Sequence, residues 1–109
     1  MKNILFVCSR NRRRSPTAEQ LFAGRDDCEV ASVGLASDAE ELLSIEDIEW
    51  ADIIFVMEKK QRAKLSQRFS AHLKNKRVVC LDISDDFDYM QPELIALLET
   101  KVRAILPSS

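Results

Sequence analysis

The stretch that decides the fold runs from residue 3 to residue 24 and reads NILFVCSRNRRRSPTAEQLFAG. Its first five residues, 3–7, are a continuous apolar run, which is typical of a buried strand in a parallel sheet. Ser15 and Pro16 predict a helix start, because serine suits the N-cap and proline suits the first turn. Gly24 can end that helix. The stretch therefore predicts a strand, a polar loop and a helix.

The same alternation continues along the chain. Short apolar runs predict further strands at 29–33, 52–57 and 77–83, and apolar residues at helical spacing predict helices at 38–50, 59–74 and 92–105. Such strands belong in a parallel sheet covered on both faces, so we expect an α/β fold: a three-layer sandwich with a four-stranded parallel sheet. We expect Pro107 to stop the last helix. The side chains expected to face the core are Leu42, Leu43, Ile45 and Ile48 in the second helix, and Ala63, Leu65, Phe69 and Leu73 in the third.

Composition and cysteine content exclude several classes of protein. With 46% hydrophobic and 31% charged residues, the chain is expected to be globular rather than disordered. No apolar run is long enough to span a membrane, and the run at 3–7 is too short for a signal peptide. Cys8, Cys28 and Cys80 form no pair at metal-ligand spacing, so we expect free thiols, a cytoplasmic location and no metal. A length of 109 residues predicts one domain, 1–109.

The loop between the first strand and the first helix carries the candidate chemistry. It reads CSRNRRRS at 8–15, so Cys8 and Arg14 stand in the order C-x5-R. Ligands of open α/β sheets bind at the carboxyl ends of the strands, and backbone N–H groups at a helix start favour anions. Arg14 offers a planar fork that can hold two phosphoryl oxygens. Cys8, whose thiolate the helix dipole and the arginines should favour, would lie beneath a bound phosphate, in position for in-line attack.

Two further residues of the loop have expected roles. Ser15 can donate a hydrogen bond toward the sulfur of Cys8, and later to the leaving thiolate. Asn11 suits a left-handed turn, because asparagine tolerates that conformation better than most residues.

This segment resembles the low-molecular-weight protein tyrosine phosphatases, whose signature is an apolar strand, C-x-x-N-x-x-R-S-P and a helix. The chain has ILFVC-SRN-RRRSP-TAEQLF at 4–22, and weaker likeness continues at 31–34 and 51–65. The resemblance implies a flavodoxin-like fold of the phosphotyrosine protein phosphatase I type and a phosphocysteine intermediate on Cys8, without cofactor or metal. It also implies a set of substrate-binding positions in the loop, namely Ser9, Arg10, Asn11, Arg12, Arg13 and Ser15.

The family's general acid is an aspartate in a D-P-Y loop near the C-terminus. The corresponding segment here reads ISDDFDYMQP at 83–92, and its alignment favours Asp85. By the same resemblance Phe87, with Tyr89, would flank the phenyl ring of a substrate. The chain departs from the family pattern at three points: segments near 35–50 and before the fourth strand are short, Arg10 and Arg13 replace a glycine and a cysteine, and Asp86 replaces the D-P-Y proline. The candidates that remain open for the acid are Asp82, Asp86 and Asp88.

The leading functional prediction is a phosphatase that hydrolyses phosphotyrosine or a related aryl or small phosphate monoester. Its partners would be a phosphorylated protein or a small phosphate ester, with phosphate or sulfate-type anions in the loop; no membrane is expected, and nucleic acid is disfavoured because aromatic stacking residues are scarce. One alternative is a non-catalytic module that binds phosphate, phosphoprotein or nucleic acid through the same loop. Another is arsenate reduction, which needs a cysteine relay to which only Cys80 could contribute late in the chain.

Overall fold

A computed structural model describes residues 2–106 of the chain. It contains one four-stranded sheet, in which neighbouring strands are parallel and the order is β2-β1-β3-β4. The strands are β1 (Lys2–Cys8), β2 (Cys28–Gly34), β3 (Ile53–Val56) and β4 (Arg77–Cys80). The helices are α1 (Arg14–Phe22), α2 (Ile45–Trp50), α3 (Lys59–Phe69), which continues into a 3-10 turn at Ser70–His72, and α4 (Pro92–Arg103). The predicted four-stranded parallel sheet is confirmed; the expected helix stop at Pro107 lies outside the described residues.

The central strand β1 sets the position of the loop at 8–15. It pairs with β2 on one side and with β3 on the other, so the chain leaves β1 where the strand order reverses. In open α/β sheets this reversal opens a crevice at the carboxyl ends of the strands. Cys8, the last residue of β1, lies opposite Gly34 and therefore at the edge of that crevice.

The sheet is covered by helices on both faces. On one face Phe6 stacks on Phe22 of α1 and on Phe55 of β3, with ring centroids 5.9 and 5.4 Å apart. On the other face Leu5 packs in a cluster with α2 and α3. Each such buried side chain contributes about 2 kcal/mol through the hydrophobic effect. No helix within residues 2–106 has the length and apolar character that crossing a membrane requires.

The predicted helix at 38–50 is much shorter in the structure. Only Ile45–Trp50 is helical, because Ser44 caps the helix and accepts a hydrogen bond from the backbone N–H of Asp47. The preceding segment instead runs beside the end of β2, where Gly34 and Leu42 form an isolated parallel bridge. Leu42 and Ile45, which we expected to face the core, are consequently exposed.

Two element boundaries and the buried face of α3 also differ from the predicted ones. Helix α1 begins at Arg14, so Ser15 lies inside its first turn rather than at the N-cap. In α3 the expected inner residue Ala63 is exposed, and Gln61 is buried instead. Strand β4 ends at Cys80. Beyond it Asp82 adopts a left-handed backbone conformation with φ of 53°, while the N–H groups of Leu81 and Ile83 still donate to the carbonyls of Val56 and Met57.

Gly34 allows two backbones to approach closely at the end of β2. A Cβ at this position would lie 2.6 Å from the carbonyl oxygen of Ser9 and 2.6 Å from the Cβ of Ala39. Both neighbours are fixed, because the N–H of Ala36 donates to the Ser9 carbonyl and the N–H of Ala39 donates to Ala36. The loop after Cys8 can therefore pack here only against a residue without a side chain.

We predict that Gly34→Ala lowers the free energy of unfolding by about 1–3 kcal/mol, because the methyl group forces the backbone of Ser9 to move. Urea denaturation measures the change. Gly24→Ala is the matched control: nothing lies within 4 Å of its Cβ position and its φ is not positive, so stability should stay equal or rise by up to about 1 kcal/mol. Equal stabilities of the two variants would contradict the close approach at Gly34.

Candidate active site

The loop at 8–15 closes around the sulfur of Cys8. The backbone N–H of Asn11 donates to the Cys8 Sγ at 3.1 Å, and the Ser15 Oγ lies 2.9 Å from the same sulfur. Both contacts are buried. Because a backbone N–H can only donate, the sulfur acts as an acceptor, a role that a thiolate fills better than a thiol.

The side chains of Asn11 and Ser15 form a relay toward this sulfur. Asn11 adopts the left-handed conformation that the sequence predicts, with φ of 58°, and its Nδ2 donates to the Ser15 Oγ at 3.0 Å. Ser15 therefore accepts from Asn11 and keeps its own proton for the Cys8 Sγ at 2.9 Å or for the carbonyl of Val33 at 3.4 Å. The shorter distance favours the sulfur. From its position inside the first turn of α1, the Ser15 hydroxyl thus bonds Asn11 and Cys8 instead of capping the helix.

Arg14 joins the loop to two other parts of the chain. Its side chain is only 3% exposed; its Nη1 donates to the Glu58 Oε1 at 2.6 Å and to the carbonyl of Ile83 at 2.8 Å. Its Nε lies 3.5 Å from the Oδ1 of Asp85. Glu58 precedes α3, and both Ile83 and Asp85 follow β4. The guanidinium is thus held in one orientation by segments at the ends of β3 and β4.

Gln61, for which the sequence analysis proposed no role, supports the loop from α3. It is 1% exposed, and its Oε1 accepts the backbone N–H groups of Met57 and Glu58 at 2.9 and 3.0 Å. Its Nε2 donates to the Ser9 Oγ at 3.2 Å. The sequence signal was the spacing Glu58-x-x-Gln61 before a helix, since a glutamine at the third helical position commonly bonds back to the cap residue.

Thr17 is a second supporting residue that the sequence analysis missed. It is fully buried in α1, and its Oγ1 donates to the carbonyl of Arg13 at 2.6 Å. The same oxygen accepts the backbone N–H of Met90 at 3.0 Å. Thr17 thereby ties the segment after β4 to the start of α1, and no pattern in the sequence marks it.

A cavity of about 360 Å³ opens at the carboxyl ends of the strands. Two predicted site residues, Asn11 and Ser15, are buried beside the Cys8 sulfur. A third, Phe87, is half-buried against the apolar core on the α1 side of the sheet. The remaining predicted site residues meet around the cavity. Its lining residues are Cys8, Ser9, Arg10, Arg12, Arg13, Arg14 and Asp85.

Among the four aspartates that the sequence left open, only Asp85 is among the residues that line this cavity. The carboxylate of Asp82 lies 3.5 Å from the Cys80 thiol and is not part of the cavity lining. Asp86 accepts a hydrogen bond from the Ser84 hydroxyl at 2.9 Å. The structure therefore brings Asp85, and not its neighbours, next to Arg14.

The other two cysteines have a different environment. Cys28 begins β2 and is buried, and Cys80 ends β4. Burial raises the pKa of the Cys28 thiol above its ordinary value, and burial likewise raises the pKa of Cys80. Both groups are therefore mostly protonated at neutral pH, which makes them poor nucleophiles. Residues 2–106 contain no group of three or more His, Cys, Asp or Glu side chains close enough together to hold a metal ion.

Comparison with known proteins gives matches at the level of structure. No family model and no curated protein sequence matches the chain. The YwlE arginine phosphatase from Geobacillus stearothermophilus superposes with a TM-score of 0.74 at 21% identity, over 96% of this chain and 93% of that one. The low-molecular-weight protein tyrosine phosphatase SP-PTP from Streptococcus pyogenes gives 0.75 at 18% identity, over 100% and 95%. Vibrio vulnificus Wzb, solved with benzylphosphonate, gives 0.77 at 20% identity, over 95% and 96%.

This chain has the low-molecular-weight protein tyrosine phosphatase fold. The match extends over nearly the whole chain, so the expected flavodoxin-like architecture is confirmed. The resemblance that the sequence showed most clearly at 4–22 thus holds structurally beyond that segment, including the helices that follow β3 and β4.

We predict that Gln61→Leu lowers the free energy of unfolding by about 1–3 kcal/mol, because the Glu58 N–H loses its acceptor and the Met57 N–H keeps only the Val7 carbonyl at 3.2 Å. Gln61→Glu keeps an acceptor and should lose less. The control is Gln67→Leu, an exposed site on the same helix, where the change should stay within about 0.5 kcal/mol. Urea denaturation of the three variants measures the difference, and a neutral Gln61→Leu would refute the role of this side chain.

Proposed function

We propose that the chain is a phosphatase that hydrolyses a phosphate monoester through a phosphocysteine on Cys8. One observation carries the proposal: the Cys8 sulfur accepts hydrogen bonds at the floor of a cavity lined by four arginines. A nucleophile and a tetrahedral anion site in one cavity are what phosphoryl transfer to sulfur requires. The fold adds support, since solved structures that share it include a tyrosine phosphatase and an arginine phosphatase.

In the first step the Cys8 thiolate attacks phosphorus. A sulfur–phosphorus bond forms, and the bond from phosphorus to the ester oxygen breaks. The departing oxygen takes a proton from the carboxylic acid of Asp85, which becomes a carboxylate. The transferred phosphoryl oxygens are held by loop N–H groups and by the Arg14 guanidinium, whose contacts to Glu58 and Ile83 hold it in position.

In the second step water attacks the phosphorus of the phosphocysteine. The Asp85 carboxylate takes a proton from that water, the sulfur–phosphorus bond breaks, and inorganic phosphate and the Cys8 thiolate are released. Ser15 supports this departure, because its hydroxyl can donate to the returning sulfur charge over 2.9 Å. The step restores the starting protonation of Cys8 and Asp85, so neither a cofactor nor a reductant is consumed.

The substrate is, by this proposal, a phosphorylated protein or a small phosphate ester, bound with its phosphate in the loop at 8–15. Phosphotyrosine and other aryl phosphates are the members of this class that the family resemblance favours. A cytoplasmic setting suits the enzyme, because Cys8, Cys28 and Cys80 are all free thiols and the reaction requires Cys8 to stay reduced.

We predict that the wild-type protein hydrolyses p-nitrophenyl phosphate in the presence of EDTA and that Cys8→Ser abolishes turnover, because serine is a far weaker nucleophile than a thiolate. Release of the coloured product p-nitrophenolate, followed by its absorbance, measures the reaction. Cys80→Ser is the matched control and should retain activity. Phosphate binding by a wild-type protein without turnover would favour the non-catalytic binding module, and loss of activity in Cys80→Ser would favour a cysteine relay.

We predict that Asp85→Asn lowers kcat/KM, which reports the first step, by about 10²–10⁴-fold for phenyl phosphate, whose leaving group needs a proton. The loss should be smaller for p-nitrophenyl phosphate, because p-nitrophenolate leaves without one. Asp88→Asn removes the same charge from the same segment, outside the cavity lining, and is the control. Equal losses on both substrates, or a larger loss in Asp88→Asn, would remove Asp85 from the role of general acid.

A further inference from the structure

Three arginines at the mouth of the cavity have no task in the proposed reaction. Arg10, Arg12 and Arg13 line the cavity together with Arg14. Arg14 is buried, whereas the side chains of Arg10 and Arg12 are 64% and 50% exposed. Hydrolysis of one phosphate ester needs loop N–H groups and one bidentate guanidinium, which Arg14 supplies. The other three guanidiniums are left for the part of the substrate that lies outside the loop.

The direction of these side chains follows from the shape of the loop. Backbone N–H groups of such a loop can line a concavity for an anion, and side chains that make no contact inside it can then reach the surface. In this chain the N–H of Asn11 points inward to the Cys8 sulfur, and the side chains of Arg10 and Arg12, on either side of it, reach the surface. They therefore form a cationic rim, defined as Arg10, Arg12 and Arg13, around the entrance.

The rim already attracts carboxylates of this chain. The Nε of Arg10 lies 3.8 Å from the Oδ2 of Asp38, and the Nε of Arg12 lies 3.4 Å from the Oε1 of Glu40. All four side chains are half or more exposed, and such pairs are weak and easily exchanged. Arg13 has no carboxylate within ion-pair distance among residues 2–106. The rim can therefore exchange internal carboxylates for the anionic groups of a ligand.

The cavity lining also contains no aromatic side chain among the described residues. Phe87 packs against the core, and Tyr89, although exposed, is not one of the lining residues. The group that carries the phosphate consequently meets guanidiniums rather than ring faces. Charge, more than ring stacking, is the property that this entrance can recognise.

We infer that the preferred substrate is a phosphate monoester that bears a second anionic group, a phosphate or a carboxylate, close to the scissile phosphate. The scissile phosphate occupies the loop with Arg14, and the second anion binds the rim in place of Asp38 and Glu40. The inference rests on the proposed function and specifies its substrate class. The rim would also repel a substrate with a positively charged group beside its phosphate. Phosphoarginine is therefore not expected to be a preferred substrate.

The test compares matched substrates that differ in the second anion. One pair is fructose 1,6-bisphosphate and fructose 6-phosphate; the other is a phosphotyrosine peptide flanked by glutamates and the same peptide flanked by glutamines. We expect kcat/KM to be higher by about tenfold or more for the anionic member of at least one pair, the order of one charge-assisted hydrogen bond. Preference in the first pair indicates a multiply phosphorylated small molecule, and preference in the second indicates an acidic phosphopeptide.

A triple variant, Arg10→Gln with Arg12→Gln and Arg13→Gln, should reduce that preference to about twofold, because the rim charge is gone. Arg77→Gln is the control: it removes an exposed arginine at the start of β4, at the end of the strands opposite to the cavity, and should keep the preference. Should the triple variant fail to fold, wild-type protein in about 1 M NaCl provides the same test, since salt screens exposed charges.

Three results would overturn the inference: no preference within either pair, a preference that survives in the folded triple variant, or a preference that salt does not weaken. Failure of the proposed function looks different, because p-nitrophenyl phosphate would then not be turned over by the wild-type protein at all.

Discussion

A guanidinium removed from water needs compensating partners, and the partners of Arg14 connect the whole candidate site. Glu58 neutralises it from the segment between β3 and α3, and the carbonyl of Ile83 accepts from it behind β4. Removing one partner from a buried ion pair costs about 3–5 kcal/mol, so this arrangement fixes the ends of two strands relative to α1. The exposed partner, Asp85, is consequently held beside the cavity, where the proposed reaction requires an acid.

The loop at 8–15 depends on a second constraint, the satisfaction of its own polar groups. Asn11 reverses the chain with a positive φ and directs both its backbone N–H and its side chain inward, to Cys8 and Ser15. Gln61 supports the loop from α3, and Gly34 lets it pack on β2 without a side chain between them. The result is a preorganised cavity, in which the donors need not rearrange when a charged ligand arrives.

The floor and the rim of the cavity differ in burial and suit different parts of a substrate. The floor, around Cys8 and Arg14, is buried and hydrogen-bonded, which suits a group that is the same in every substrate. The rim arginines are exposed and weakly paired, which suits recognition of a group that differs between substrates. Three departures of charge from the family pattern, at Arg10, Arg13 and Asp86, lie in the two segments that border this entrance.

The sequence by itself determined the alternation of strands and helices, the parallel sheet, and the pairing of Cys8 with Arg14 in one loop, because these depend on local apolar runs and on spacing. Even the left-handed turn at Asn11 could be predicted, since that preference belongs to the residue. For the general acid, the sequence alignment favoured Asp85 among four neighbouring aspartates. Only the tertiary structure shows that Asp85, and none of the other three, lines the cavity beside Arg14, because that contact joins residues distant in sequence. It also decided the burial of Gln61 and the exposure of Leu42, which follow from contacts with residues distant in sequence.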